Sequence, residues 1–181
     1  MSKAKTFITQ GLVLKRSNTG ETDRIITFIT QDFGKLVGVA KGVRTLKSSQ
    51  RAHLEPGNLV KLFAIKTKAL PIITQTSLIE NINQDIRGSL GKIRSLSQIL
   101  EIFDRLFVEE DEDIESYQLA LKIRATIINN QGHKQIQPLL SELIERMGYQ
   151  SFNEVAHQSI LDYVAELTEK EMKSFEYLRI K

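Results

Sequence analysis

The spacing of the hydrophobic residues changes once along this chain, near residue 82, and this change limits the possible folds more than any other feature. Before it, β-branched and hydrophobic residues concentrate in short runs typical of β-strands. The runs cover residues 6–16, 23–31, 35–41, 58–66 and 72–79. After it, hydrophobic residues recur every three to four positions, as in amphipathic helices. We therefore predict an α+β protein with a strand domain at residues 1–81 and a helical domain at residues 82–181.

Turn-forming segments separate the predicted strands: NTGE at 18–21, DFGK at 32–35, EPGN at 55–58 and ALP at 69–71. The connection at residues 42–54, between strands three and four, is the longest. Five short strands with one long loop indicate a small closed or nearly closed barrel, and the oligonucleotide-binding (OB) fold is the leading prediction because it is five-stranded. An SH3-like barrel would give much the same pattern, so periodicity leaves that alternative open.

The helical half contains three clear amphipathic segments and one weaker one. The clear segments run from Ile93 to Phe107, from Tyr117 to Ile128 and from Ile136 to Met147. Thr168 and Glu171 have the spacing of a capping box, which predicts a last helix that continues through Leu178. The acidic run EEDED at 109–113 is predicted to be a solvated loop between helices.

Charge divides the chain in the same way. Residues 1–80 contain 13 Lys and Arg against 5 Asp and Glu, whereas residues 81–181 contain 12 against 17. A basic module beside an acidic one indicates that the first binds a polyanion. Cysteine is absent, which excludes disulfides and thiolate zinc sites within this sequence. We expect a cytoplasmic protein, because there is neither a signal-peptide core nor an apolar run of the roughly 18 residues that span a membrane.

The strongest local charge signal is the stretch VGVAKGVRTLKSSQRAHLEP at residues 37–56, which contains four cations and no acid before Glu55. Most basic loops are simply solvated. Cations concentrated on one side of a barrel would, however, suit a phosphate backbone, which such patches bind through counterion release. The family resemblance described below favours this second interpretation, and the predicted DNA-binding residues are Arg24, Lys35, Lys41, Arg44, Lys47 and Arg51.

Aromatic residues are scarce in the strand half, so we expect binding to be electrostatic and sensitive to salt rather than dominated by base stacking. Alternation along the strands places Phe28 and Phe63 in the core. Phe33, beside the DFGK turn, is the one candidate for a base contact, although a turn aromatic more often closes the end of a barrel.

Signatures of catalysis are weak. Glu21 with Asp23, and His53 with Glu55, are close pairs, but neither pair has a nucleophile or a metal ligand at a useful spacing. Structural roles explain them more simply: the acids would pair with Arg24 or cap a turn, and His53 would close the loop onto a strand. The phosphate-binding pattern GxxxxGK[ST] is also absent. We predict no enzyme activity and no cofactor.

The first 60 residues contain, in this order, the segments GLVL, GETDR, TQDFGK, VAKGVRTLKS and LEPG. This series resembles the N-terminal domain of the bacterial RecO family of DNA repair and recombination mediators, and the resemblance continues more weakly through ITQTSLIENI and EIFDRLF. It implies an OB barrel followed by a helical domain, in a nucleoid-associated protein that binds single- and double-stranded DNA and anneals complementary strands. It also implies RecR and single-strand-binding protein as partners, and RecA loading as the indirect outcome.

Two further expectations follow from this resemblance. Many members carry a four-cysteine zinc module after a helix similar to LLSELIERMGYQSF, but this chain continues through NEVAHQSI without cysteine, so no zinc is expected. The chain is also shorter than the usual member. The family's helical domain holds the acidic C-terminal tail of single-strand-binding protein, and Arg105 and Arg124 are our candidates for its carboxylate.

Two other function classes stay open. The first is a protein adaptor whose basic loop docks acidic partner tails, and the second is an RNA-binding OB-fold protein. Only the family resemblance favours DNA over RNA.

Overall fold

Five strands are followed by a group of helices in the computed structural model, which describes residues 5–82, 86, 88–129, 133–152 and 159–175. The strands are β1 (Thr6–Thr19), β2 (Asp23–Thr30), β3 (Gly34–Ala40), β4 (Leu59–Ile65) and β5 (Ile72–Glu80). The helices are α1 (Gln50–His53), α2 (Leu90–Leu106), α3 (Ile114–Ile128), α4 (His133–Arg146) and α5 (Ile160–Leu167), with a 3-10 turn at Lys173–Phe175. Within these described ranges, no helix is both long and apolar enough to cross a bilayer.

The strands close into a barrel in the order β1-β2-β3-β5-β4. Neighbouring strands are antiparallel except β3 and β5, which run parallel where Val39 lies opposite Ile72. The 14-residue β1 pairs with both β2 and β4, and a register shift between Val13 and Lys15 bends it around the barrel. A five-stranded barrel of this order, with α1 between β3 and β4, confirms the OB prediction and decides against the SH3-like alternative.

The barrel interior is filled by alternate residues of the strands and by two residues of the β3–β4 connection. Its buried residues are Val13, Ile26, Phe28, Ala40, Val43, Leu54, Val60, Leu62, Ala64 and Ile73. Phe28 is fully buried, as alternation predicts. Phe63, for which the same alternation predicts a core position, is only half-buried, because its neighbours Leu62 and Ala64 are the β4 residues that point inward.

The outside of β1 packs against the helices. Leu12 and Leu14 flank the inward-pointing Val13, and they share a second hydrophobic cluster with Ile29 of β2 and Phe103 of α2. This cluster continues through α3, α4 and α5, so one hydrophobic core joins the barrel to the helices. The division at residue 81 stays a prediction.

The first three predicted helices are present, but the prediction for the last one is wrong. The helix here is α5, and Thr168 ends it rather than starting another, because its hydroxyl donates to the carbonyl of Val164 at 2.8 Å. The true start is Ser159, whose hydroxyl accepts from the N–H of Asp162 at 3.2 Å. Lys173–Phe175 forms a 3-10 turn, and Leu178 lies outside the described residues.

The acidic segment at 109–113 does lie between two helices, but it also contacts the barrel. The N–H of Lys35 donates to the carbonyl of Val108 at 2.9 Å, and Glu109 forms an isolated β-bridge with Gly34. Gly34 has a φ of 59°, and any side chain there would overlap the carbonyl of Asp111. The β2–β3 turn is therefore covered by the helical half.

Candidate nucleic-acid interface

The segment with the predicted phosphate contacts, residues 41–51 and here called the basic loop, is a series of hydrogen-bonded turns. The N–H of Gly42 donates to the carboxylate of Asp23 at 2.8 Å, and the N–H of Arg44 donates to the carbonyl of Thr22 at 2.9 Å. The Gly42 bond holds the pKa of Asp23 below its usual value, with smaller effects from Thr22 and Lys41. The start of the basic loop is therefore fastened to the β1–β2 turn.

The end of the basic loop is fixed by α1. Gln50 donates its amide to the carbonyl of Thr74 at 3.1 Å, and Nδ1 of His53 lies 3.1 Å from the carbonyl of Thr76, both on β5. His53 thus closes the loop onto a strand, as predicted. The fully buried Asn58 donates to the carbonyls of Ala52 and His53 at 2.9 and 3.1 Å. The sequence marks Asn58 only as a turn residue and gives no sign of this bridging role.

Three cations of the basic loop are free to meet a ligand. Lys41, Lys47 and Arg51 are exposed, and no carboxylate in the described part of the chain lies within 4 Å of their charged groups. Arg44 is half-buried, and its guanidinium donates to the carbonyl of Gly20 at 3.2 Å. The loop therefore presents a concentrated positive charge on a shaped backbone.

Arg24 is also among the predicted phosphate contacts, but its side chain is held within the protein. It is only 5 % exposed, its Nη1 lies 3.5 Å from Glu55, and its Nε donates to Asn18 at 3.4 Å. Glu55 also pairs with Arg16 at 3.0 Å. Arg24 is adjacent to the basic loop, since it lies opposite Ala40 in the sheet, but its guanidinium is buried and shares the Glu55 carboxylate with Arg16.

Lys35 lies away from the basic loop. It is at the start of β3 and Lys41 follows the end of that strand, so roughly 20 Å separates them. The ammonium of Lys35 is 3.0 Å from the carboxylate of Asp104 on α2, which Lys15 also approaches, at 2.8 Å. Lys35 therefore fastens the barrel to the helices, and the structure does not bring it together with the other predicted residues.

Phe33, the candidate base contact, is at this same end of β3. Its ring packs edge-on against Phe7 with 4.8 Å between centroids, and its N–H donates to Thr30 at 3.1 Å. A half-buried ring with these contacts supports the β2–β3 turn. A base contact by Phe33 would be separate from the basic loop.

The two arginines predicted to bind a partner tail make extensive contacts inside the protein. Arg124 is 2 % exposed, and it donates to the carbonyl of Gly57 at 2.7 Å and to Glu80 at 2.5 Å, which ties α3 to the barrel. Arg105 pairs with Glu101 at 2.9 Å and donates to the carbonyl of Lys170 at 2.9 Å. A tail carboxylate would have to displace these bonds, and the tail-binding role of both residues stays a prediction.

The fold and this loop define a class of protein, an OB-fold barrel with an anchored basic loop, joined to a helical unit through a shared core. Residues 1–82 match the family model described as Recombination protein O N terminal.

The curated relatives are named DNA repair protein RecO. The one from Bifidobacterium longum subsp. infantis is 36 % identical over 113 residues, which cover 62 % of this chain and 47 % of the relative. The one from Bifidobacterium longum strain DJO10A is 31 % identical over 124 residues, 68 % of this chain and 52 % of the relative. The barrel half of the chain is therefore similar to the N-terminal domain of the RecO family. The chain spans about half the length of the curated relatives it matches.

The shared Asp104 carboxylate generates a pH-dependent prediction. Burial alone would raise the pKa of Asp104, but hydrogen bonds from Lys15 and Lys35 outweigh it and hold the pKa below its usual value. A lowered folded-state pKa contributes stability above the unfolded pKa of about 3.9, and this contribution is lost as pH falls through the folded-state pKa. Asp104→Asn should therefore lower the free energy of unfolding at pH 7 by about 2 kcal/mol, and by less as the pH falls below 4.

Urea unfolding of the wild type and Asp104→Asn across this pH range measures the difference. Glu112→Gln is the matched control, because Glu112 is exposed and its removal should change little at any pH. A stability difference that does not vary with pH would mean that the charge of Asp104 is not what fastens the barrel to α2.

Proposed function

We propose that this chain acts in DNA repair as a DNA-binding recombination mediator and catalyses no reaction itself. The observation that carries the proposal is the anchored basic loop, with Lys41, Lys47 and Arg51 exposed and without a carboxylate partner among the described residues. The family model that the barrel matches and the name of its curated relatives, DNA repair protein RecO, support the repair context.

Phosphate contacts explain why one site would serve both single and double strands. The backbone is common to both forms, and its neutralisation releases counterions whatever the base sequence. The excess of basic residues in the barrel half and of acidic residues in the helical half would direct a strand towards the barrel and away from the helices. Binding of this kind would be general and strongly dependent on salt.

Replacing Lys41, Lys47 and Arg51 together with Ala should weaken binding to every DNA sequence alike. It should also flatten the dependence of log K on log salt for single strands, by roughly 0.7 for each phosphate that the protein no longer neutralises. The fold should persist, because all three side chains are exposed. The measurement is the titration of a labelled oligonucleotide at several salt concentrations.

The matched control for this variant removes the same charge from the helical half, with Lys122, Lys170 and Lys173 replaced by Ala, all exposed. The control should keep the wild-type salt slope, and equal slopes in all three proteins would refute the loop as the phosphate site. RNA of the same sequence and an acidic peptide, titrated alongside, test the two other classes. Tighter binding of either than of DNA would replace the DNA proposal.

Strand annealing is the activity we propose for this binding. Two complementary strands repel each other, and a protein that neutralises both raises their rate of encounter without any nucleotide. Oligonucleotides labelled for energy transfer should therefore pair faster with the wild type than alone, in the absence of ATP, and the basic-loop variant should lose most of the acceleration. Tight binding combined with an unchanged pairing rate would contradict the annealing proposal.

The acidic helical half needs a different role, and we assign it to partner proteins. Residues of α2, of α4 and of the start of α5 line a cavity of about 500 Å³, whose apolar walls include Ile99, Ile102, Ile136, Leu140 and Phe152. A cavity of this kind suits the apolar end of a peptide. We propose that it takes the C-terminal tail of single-strand-binding protein, and that RecR joins the same assembly to help load RecA.

An added negative charge at this cavity should repel an acidic tail. Gln137 lines the cavity and is exposed, so Gln137→Glu should preserve the fold. It should lower the affinity for a tail peptide severalfold by like-charge repulsion. Gln118→Glu on α3 adds the same charge at another exposed position and serves as the control. Peptide affinity measured by fluorescence anisotropy should fall only in the first variant. The same affinity in both variants would place the tail elsewhere.

A further inference from the structure

Leu46 is the most exposed large hydrophobic residue of the described chain, with 98 % of its surface accessible, compared with 71 % for Leu90. A single exposed leucine is common on protein surfaces and carries no information by itself. Its position does, because Leu46 lies in the basic loop, between Lys41 and Arg44 on one side and Lys47 and Arg51 on the other.

The turn that contains Leu46 is held by the backbone. The N–H of Ser48 donates to the carbonyl of Thr45 at 3.1 Å, which makes Leu46 and Lys47 the two central residues of a four-residue turn. Thr45 is itself fixed, since its N–H and its hydroxyl both donate to the carbonyl of Gly42, at 3.1 and 2.8 Å. The leucine therefore projects, almost fully exposed, from an ordered turn.

We propose that Leu46 inserts against the base faces of the strand that the basic loop binds. This inference rests on the proposed function and adds a base contact to it. Proteins that bind the minor groove of duplex DNA frequently insert apolar side chains, leucine among them, between base steps and partly unstack them. Here Lys41, Lys47 and Arg51 would hold phosphates around the turn, and the leucine at its tip would meet the bases.

Charge identifies the occupant as a nucleic acid rather than an apolar protein surface. A partner that covers Leu46 must also neutralise the exposed cations around it. A nucleic-acid strand can do both, because its phosphates would pair with the cations and its apolar base faces would cover the leucine. Every base has such a face, so the contact would tolerate any sequence. It would also add affinity where the barrel has few aromatic residues for stacking.

The test compares two probes, a labelled single strand and a strand of equal length whose residues are all abasic, which keeps the phosphates and lacks the bases. Leu46→Ala should weaken binding of the ordinary strand by roughly tenfold, the expected effect of losing the burial of a leucine side chain. It should leave the affinity for the abasic strand, and the slope of log K against log salt, unchanged. Leu90→Ala, which removes the other highly exposed leucine, should change neither probe.

A strand that contains 2-aminopurine adds a direct readout of unstacking. Its fluorescence should rise when the wild type binds, and it should rise much less at saturating Leu46→Ala. The insertion would be overturned if Leu46→Ala bound both probes as tightly as the wild type does, or if the wild type caused no change in fluorescence. This holds even if the basic-loop variant no longer binds either probe. Failure of the wild type to bind either probe would overturn the proposed function together with this inference. The insertion would also be overturned if Leu46→Ala weakened the binding of a protein partner and left the binding of both strands unchanged.

Discussion

The packing of α2 against the outside of β1 is the contact on which the rest of the structure depends. A barrel of fewer than 80 residues buries little apolar surface by itself, and small domains are correspondingly marginal. Leu12 and Leu14 face outward on either side of the inward-facing Val13, so one strand contributes to both cores. The Asp104 carboxylate, held by Lys15 and Lys35, then adds a directional contact to this apolar interface.

Contacts between the barrel and the helices, and one carboxylate within the barrel, decide which cations remain available for a ligand. Lys35 is engaged by Asp104 at one end of β3, and Arg124 is buried against the turn before β4. Arg24 is buried within the barrel, where its guanidinium lies 3.5 Å from Glu55. Of the six predicted cations, Lys41, Lys47 and Arg51 of the basic loop remain exposed and have no carboxylate within 4 Å among the described residues. The phosphate contacts of the proposed function are therefore concentrated in a smaller surface than the six cations of the sequence prediction.

Local patterns predicted the elements well because strand and turn residues act over short distances. Four of the five strands agree with their predicted bounds to within one residue. The exception is β1, which continues to Thr19 because, after its bend, it still pairs with β2 where it no longer pairs with β4. The last helix was misplaced because two capping patterns compete in the sequence, Ser159 with Asp162 and Thr168 with Glu171. Local spacing does not distinguish the pattern that starts a helix from the one that follows its end.

The state of each cation could not be predicted, because its partner is distant in the chain. Lys35 meets Asp104 across 69 positions, and Arg124 meets Gly57 across 67. The buried Asn58 bridges the end of α1 to Ile82, and no periodic pattern marks it. By contrast, the exposed cations of the basic loop could be predicted as a charged stretch, because Lys41, Lys47 and Arg51 have no carboxylate partner among the described residues to change their state.

A mediator must bind a strand firmly enough to pair it and loosely enough to release it. Deep pockets for bases would favour the first requirement at the expense of the second, whereas separate phosphate contacts can exchange one at a time with salt ions. An anchored loop adds to this, because a backbone shaped before binding loses little conformational entropy when the strand arrives. In the proposed function, Leu46 would then supply the one contact that depends on bases without depending on their order. The combination of few base contacts, several exchangeable phosphate contacts and a preformed loop is therefore the physical form that annealing without nucleotide hydrolysis would require.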